Sequence, residues 1–405
     1  MTQKKMSKHL RTYEDFMKIP VFFYKTIGEE IFDYRSTNRC LSLLLKCLLY
    51  AGFANFNIFV LGEIIFFYKA VQSKDTVLGA IAVAPCIGFS LVADFKQLAL
   101  VRNKKIVQKH FDQMENIFPN TIEKQERNRL QHYERIMHRV MIVFSILCLA
   151  YTSTFSLYPV CKSFVEYYFL GAEKFERRFG FLIWYPYDPT AKTWVYWLTY
   201  LLEVHGAYLA GVAFLSADLL LVSSVTQLNM HFDYLSMELA QYEPDAKHEE
   251  KDLEFLNRII KQHVNCMELS EHVDNIFSFS LLLNFLMASL TICFIGFQVT
   301  TSSLEVIIMY CIFLLASMLQ VFIVCFYGDE LMTASLKVGD AAYNQNWFNA
   351  SIKYKKMLLL IIRRSQRPSC ITPPTFSAVS FESYMKVISM SYRFFALLRT
   401  TYYDD

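Results

Sequence analysis

Glycine is scarce in this chain, with 12 in 405 residues, and no glycine-rich loop ending in Lys-Ser or Lys-Thr is present to cradle a phosphate. There is no GxSxG nucleophile turn and no HExxH zinc helix. The ten cysteines form no CxxC pair and no Cys/His cluster at zinc spacing. Most of them fall inside apolar runs, where a thiol serves as a small buried hydrophobe. These absences leave no catalytic constellation, so an enzyme is not expected, and neither is a metal, a cofactor or a nucleic-acid partner. The first 15 residues, MTQKKMSKHLRTYED, are charged and have no apolar centre, unlike a cleavable leader. The first spanning helix is therefore expected to act as its own insertion signal. No internal repeat and no low-complexity tract interrupts the chain.

What is present is apolar surface. Hydrophobic residues make up 54% of the chain, with 36 Phe and 25 Tyr. Soluble domains average about 45–50% apolar, so the composition is that of a membrane protein. Seven segments read as spanning helices: 40–62, 76–95, 137–159, 194–222, 276–298, 304–327 and 376–400. Lys and Arg bias sets their orientation: 28 lie in the N-terminal segment and alternate connections, and 7 on the opposite side. The N-terminus is expected in the cytoplasm and the C-terminus outside.

The domain plan follows: 1–39 as a cytoplasmic segment, 40–327 as spans one to six, 328–375 as a cytoplasmic helical anchor region, and 376–405 as the last span with a short tail. The alternating charges of 96–136 read as solvated helical extensions of the second and third spans. In 241–275, Leu253, Leu256, Ile259 and Ile260 form a helical stripe that could pack on a partner subunit.

The last span carries Glu382, Lys386 and Arg393. With Ser389 they are spaced four, three and four apart, which places them on one stripe, with Glu382 and Lys386 oriented to pair at i, i+4. Charges at bilayer depth avoid lipid and face water or protein. The neighbouring stripe is Ser383, Val387, Met390, Phe394, Leu397 and Thr401. In the third span Tyr151, Phe155 and Tyr158 share a face, and in the fourth Leu201, His205 and Tyr208 do. Two aromatic-rich faces meeting would make an apolar ligand cavity with a few polar tips; the same residues serve equally as ordinary helix packing.

The C-terminal third carries a linear signature. AAYNQNWF (341–348) is followed by KKMLLLIIRRSQRP (355–368) and FSAVSFESYMKVISMSYRFFALLRT (376–400). A Tyr and Trp (Tyr343, Trp347) precede a basic-leucine helix closing on Gln366 and Pro368; the final helix holds Ser391-Tyr392 and ends near Leu398-Arg399. This pattern, with seven spans and a cytoplasmic N-terminus, resembles the insect odorant receptor family. Pro373-Pro374 stands where the family has a small, glycine-containing turn, and Arg393 stands where small or hydroxyl residues are commoner.

The resemblance implies an all-α, seven-span, odorant-gated, non-selective cation channel in the plasma membrane of olfactory sensory neurons. It implies a tuning subunit that binds a small volatile apolar odorant in its outer half, at a site mapped here to Tyr151, Phe155, Tyr158, Leu201, His205 and Tyr208, and that forms a heterotetramer with a shared co-receptor within the lipid bilayer. The last helix would line the pore, with Leu397 and Thr401 at the gate and Phe394, Met390, Lys386, Glu382 and Arg393 along it. The competing readings are a gustatory-receptor-type channel and a G-protein-coupled receptor. The latter family has the opposite topology, and no DRY-like or NPxxY-like motif is present.

Overall fold

The computed structural model describes residues 10–26, 39–72, 77–301 and 304–403. Among them every regular element is helical. Two short helices, α1 (Tyr13–Phe16) and α2 (Lys18–Thr26), precede α3 (Arg39–Gln72) and α4 (Val77–Arg102). Then come α5 (Lys104–Ile117), α6 (Ile122–Arg127), α7 (Leu130–Tyr168), α8 (Thr193–Gln241), α9 (Glu249–Thr301), α10 (Leu304–Asn344), α11 (Ile352–Ser365) and α12 (Phe381–Tyr403). Six of these, α3, α4 and α7 to α10, are long and apolar enough to cross a membrane. The seventh expected span is α12, 23 residues long. That length reaches across a bilayer at 1.5 Å per residue, although its charges set it apart from the other six.

The long helices overrun the bilayer. At 53 residues, α9 extends about 80 Å, against about 30 Å of hydrocarbon. Chain direction places the connection 169–192 at one end of the bundle and α5, α6 and α11 at the other. α8 runs through the middle. It is apolar on all sides, and the stretch from Leu209 to Met230 is almost wholly buried against α3, α4, α7, α9 and α10.

Four expectations change. Lys96, read as a loop charge, lies inside α4 and is 2% exposed. The connection to α7 is less solvated than its charges suggest, because α5 buries Val107, His110, Phe111 and Met114 at helical spacing. The stripe on α9 packs within the chain, with Leu256 and Ile259 fully buried and Leu253 and Ile260 beside them. Finally, α10 continues unbroken past residue 327 to Asn344.

The segment expected to anchor the chain forms α11. Ser351 caps it, accepting a hydrogen bond from the Tyr354 amide, and Tyr354, Leu358, Ile361 and Ser365 make its buried face against α10 and α9. The Tyr354 hydroxyl donates to Gln345 Oε1 at 2.8 Å, and Gln345 Nε2 donates to the Leu239 carbonyl at 3.0 Å. The chain then turns toward α12 through Pro373-Pro374. Thr375 supplies the left-handed φ of 61° that a glycine would adopt more readily. The Thr372 amide donates to Asp274 Oδ1 at 2.7 Å, tying this turn to α9. A Cβ at Gly328 would lie 2.5 Å from the Val379 carbonyl oxygen, so only glycine lets α10 meet this segment backbone to backbone.

Candidate functional site

Where α7 nears the 169–192 connection, its aromatic spacing builds a cluster. Tyr151 stacks on Phe313 of α10 with centroids 4.2 Å apart, and Phe155 lies edge-on to both Tyr151 (5.0 Å) and Phe313 (5.6 Å). Phe89 of α4 closes the group at 5.7 Å from Tyr151. Aromatic pairs in such offset and edge geometries fix ring positions more firmly than aliphatic contacts do.

Beside this cluster is a cavity of about 40 Å³. Its walls are Phe56, Phe59, Val60 and Glu63 of α3; Cys86, Phe89 and Ser90 of α4; Tyr151 and Thr152 of α7; and Ala207 and Ala210 of α8. Phe181 and Ile183 of the 169–192 connection complete it. Small residues on α8 leave the space, and aromatic rings line it, the usual make-up of a small-ligand site. No Lys, Arg or His is among the lining residues, and Glu63 is their one carboxylate.

The connection is seated by specific contacts. Glu203 of α8 accepts hydrogen bonds from the Gly180 amide (3.1 Å), the Phe181 amide (2.9 Å) and the Tyr185 hydroxyl (3.3 Å). The Trp184 amide donates to the Gly62 carbonyl at 3.1 Å, and the Lys69 ammonium sits 4.5 Å from the Trp184 ring. Close approach requires glycine twice. A Cβ at Gly180 would stand 2.6 Å from the Phe155 carbonyl oxygen, and one at Gly62 would stand 2.6 Å from Ile183 Cγ2.

Of the residues expected at a ligand site, Tyr151 lines the cavity and Phe155 backs it through Phe181, its centroid 6.2 Å away. Tyr158 is half-buried two turns beyond Tyr151. Tyr208 joins α8 to α7 through a 2.6 Å hydrogen bond with Ser153. Leu201 points outward at 63% exposure. His205 is exposed, its Nδ1 3.4 Å from Asn55 Nδ2 on α3. Leu201, His205 and Tyr208 share one face of α8 by spacing, but Glu203, Ala207 and Ala210 form the face toward the cavity and its roof. Glu63 lies one residue past the predicted end of the first span. An acid directly after an apolar run was the available signal for it; Phe181 and Ile183 lie in a connection with no periodicity to read.

On α12 the expected i, i+4 pair is present, with Lys386 Nζ 2.7 Å from Glu382 Oε1. Lys386 also donates to Ser377 Oγ at 3.1 Å. The helix turns Ser383, Val387 and Ser391 into its own subunit, chiefly toward α9 and α10. Ser383 and Val387 thus part from the stripe to which their spacing assigned them. Glu382, Lys386, Met390, Arg393, Phe394 and Leu397 are all exposed on the single subunit. The side chain of Thr401 lies outside the described residues. Nor, among the described residues, do any three His, Cys, Asp or Glu side chains gather to hold a metal ion.

The comparisons with known proteins agree with one another. The family model described as 7tm Odorant receptor matches residues 76–392. Odorant receptor 67c of Drosophila melanogaster is 58% identical over 395 residues, covering 98% of each chain. Putative odorant receptor 92a of the same organism is 48% identical over 392 residues, covering 97% of this chain and 96% of that one. The solved structure of the insect olfactory receptor OR5 from Machilis hrabei superposes with a TM-score of 0.78 at 16% identity, covering 95% of this chain and 97% of that one. The same receptor in complex with eugenol gives 0.80 at 17% identity, with the same coverage. Nearly full-length matches to these relatives, together with the family model, lead to one conclusion: this chain belongs to the insect odorant receptor family.

Proposed function

We propose that the chain is the odorant-binding subunit of a ligand-gated, non-selective cation channel, assembled as a heterotetramer with a shared co-receptor in the plasma membrane of olfactory sensory neurons. The observation that carries this reading is the aromatic cavity between α3, α4, α7 and α8, roofed by the connection that Glu203 holds in place. The membership of the chain in a receptor family named for odorants supports it. So does α12, which leaves a charged and apolar surface uncovered by its own subunit, as a helix facing a shared axis would. The Lys and Arg bias supports a cytoplasmic N-terminus and an outward-facing cavity. Odorant binding shifts the population toward the open channel, so the ligand binds the open state more tightly.

Co-expression with the co-receptor in oocytes tests this reading. Odorant-evoked cation current is expected; silence across a broad odorant panel, with surface expression confirmed, would overturn it.

A further inference from the structure

Glu63 is 5% exposed, lines the cavity, and among the described residues its Oε2 has no hydrogen-bond partner. Among the described residues the lining offers no cation to neutralise it. The other buried carboxylate nearby, Glu203, is committed to the roof by three donors. The Thr152 hydroxyl is committed too, donating to the Cys148 carbonyl at 3.0 Å. Glu63 therefore presents an open acceptor to whatever occupies the cavity; the other donors of the lining, the Ser90 and Tyr151 hydroxyls and the Cys86 thiol, do not bond its Oε2. Buried polar groups in native structures nearly always have a partner, and an orphan one calls for an explanation.

We infer that this cavity selects ligands with an apolar body and an O–H or N–H head, an alcohol or amine that donates to Glu63. The inference rests on the odorant-binding reading and narrows its ligand class. A carboxyl group keeps an acceptor oxygen whether ionised or protonated, so a donor on the ligand is matched in both states. A ligand of the same shape without a donor leaves that oxygen desolvated and unpaired, and sites built around a hydrogen bond reject such analogues far more strongly than apolar pockets reject a missing methylene.

The test uses the full chain co-expressed with the co-receptor. An activating carbon skeleton is presented as its alcohol, its amine and its methyl ether. The alcohol or the amine should activate at least about tenfold below the ether, the worth of a buried hydrogen bond to a carboxylate. In Glu63→Leu this preference should vanish while the ether response persists, which also reports a folded receptor. In Glu63→Gln the amide oxygen still accepts, so the alcohol and the amine should both keep an advantage over the ether. Alcohol, amine and ether all within about threefold in the natural chain, or a preference that survives Glu63→Leu, would overturn the inference while leaving the receptor reading intact. No current with any odorant would remove both.

Discussion

Lys96 of α4 and Asp218 of α8 form a closed, two-pronged ion pair in the middle of the helix bundle, with Nζ 2.7 and 2.8 Å from the two carboxylate oxygens. Both side chains are at most 3% exposed. Gln320 of α10 donates to the same carboxylate at 2.9 Å, and Asn284 of α9 reaches Gln320 Oε1 at 3.4 Å. The Lys96 ammonium also lies 3.6 Å from the Phe214 ring centroid. Lys96→Met leaves Asp218 buried without its cation and should cost about 3–5 kcal/mol, seen as lost surface expression or a lower Tm. The double variant Lys96→Met with Asp218→Leu should recover much of that loss. A Lys96→Met variant as stable as the natural protein would remove the pair from the set of stabilising contacts.

The roof of the cavity can be loosened at one atom. Gly180→Ala places a methyl group where the Phe155 carbonyl already stands, 2.6 Å away. The connection must shift, at a cost of about 1–3 kcal/mol. Limited proteolysis within 169–192 should become faster, and the odorant response should move to higher concentration. Unchanged cleavage would mean that the contact is relieved elsewhere.

His110 of α5 predicts acid sensitivity. It is fully buried, with Nε2 3.1 Å from Ser224 Oγ, and burial, helped by the nearby His272, lowers its pKa from 6.5 to about 3. The folded chain therefore holds this ring neutral. Its contribution is complete above about pH 6.5 and is lost as the pH falls from 6.5 toward 3, by about 2 kcal/mol at pH 5. Thermal unfolding in detergent should show a Tm falling between pH 7.5 and pH 5, and His110→Gln should flatten that fall. An identical pH profile in the variant would show that the ring titrates normally.

Arg393 tests the position of α12. Glu382 is taken by Lys386, and Arg393 stands exposed on the same helix. A unit charge about 8 Å from an ion path in water is worth about 0.5 kcal/mol, or about twofold in local cation concentration. Arg393→Ser should therefore raise single-channel cation conductance by about that factor without moving the odorant concentration dependence. Unchanged conductance would place the side chain away from the pore.

The helices themselves were legible in the sequence because long apolar runs have few other fates. The Glu382–Lys386 pair was legible because i, i+4 spacing dictates it. Tyr151 and Phe155 share a face for the same reason, and their rings meet at 5.0 Å. Other features depend on contacts distant in the sequence. Lys96 reads as a loop charge until Asp218, 122 residues away, is brought against it. Glu63 becomes notable only once Ile183 and Phe181 close over its surroundings. On α8, periodicity gives the set of faces but not their directions, and the face that matters is the one with little on it, Ala207 and Ala210. Pattern reading favours large side chains, whereas cavities are made by small ones.

The Asp218 carboxylate also links helices that line the cavity to the helices that carry α12. The cavity belongs to α3, α4, α7 and α8, while α12 rests on α9 and α10. Lys96, Asp218, Gln320 and Asn284 bring one residue each from α4, α8, α10 and α9 to a single point. Apolar side chains slide past one another over a range of nearly equal arrangements, whereas hydrogen bonds in a dry interior fix both distance and direction. A displacement of α4 or α8 at the cavity would therefore be expected to carry α9 and α10 with it, together with α12, which rests on them.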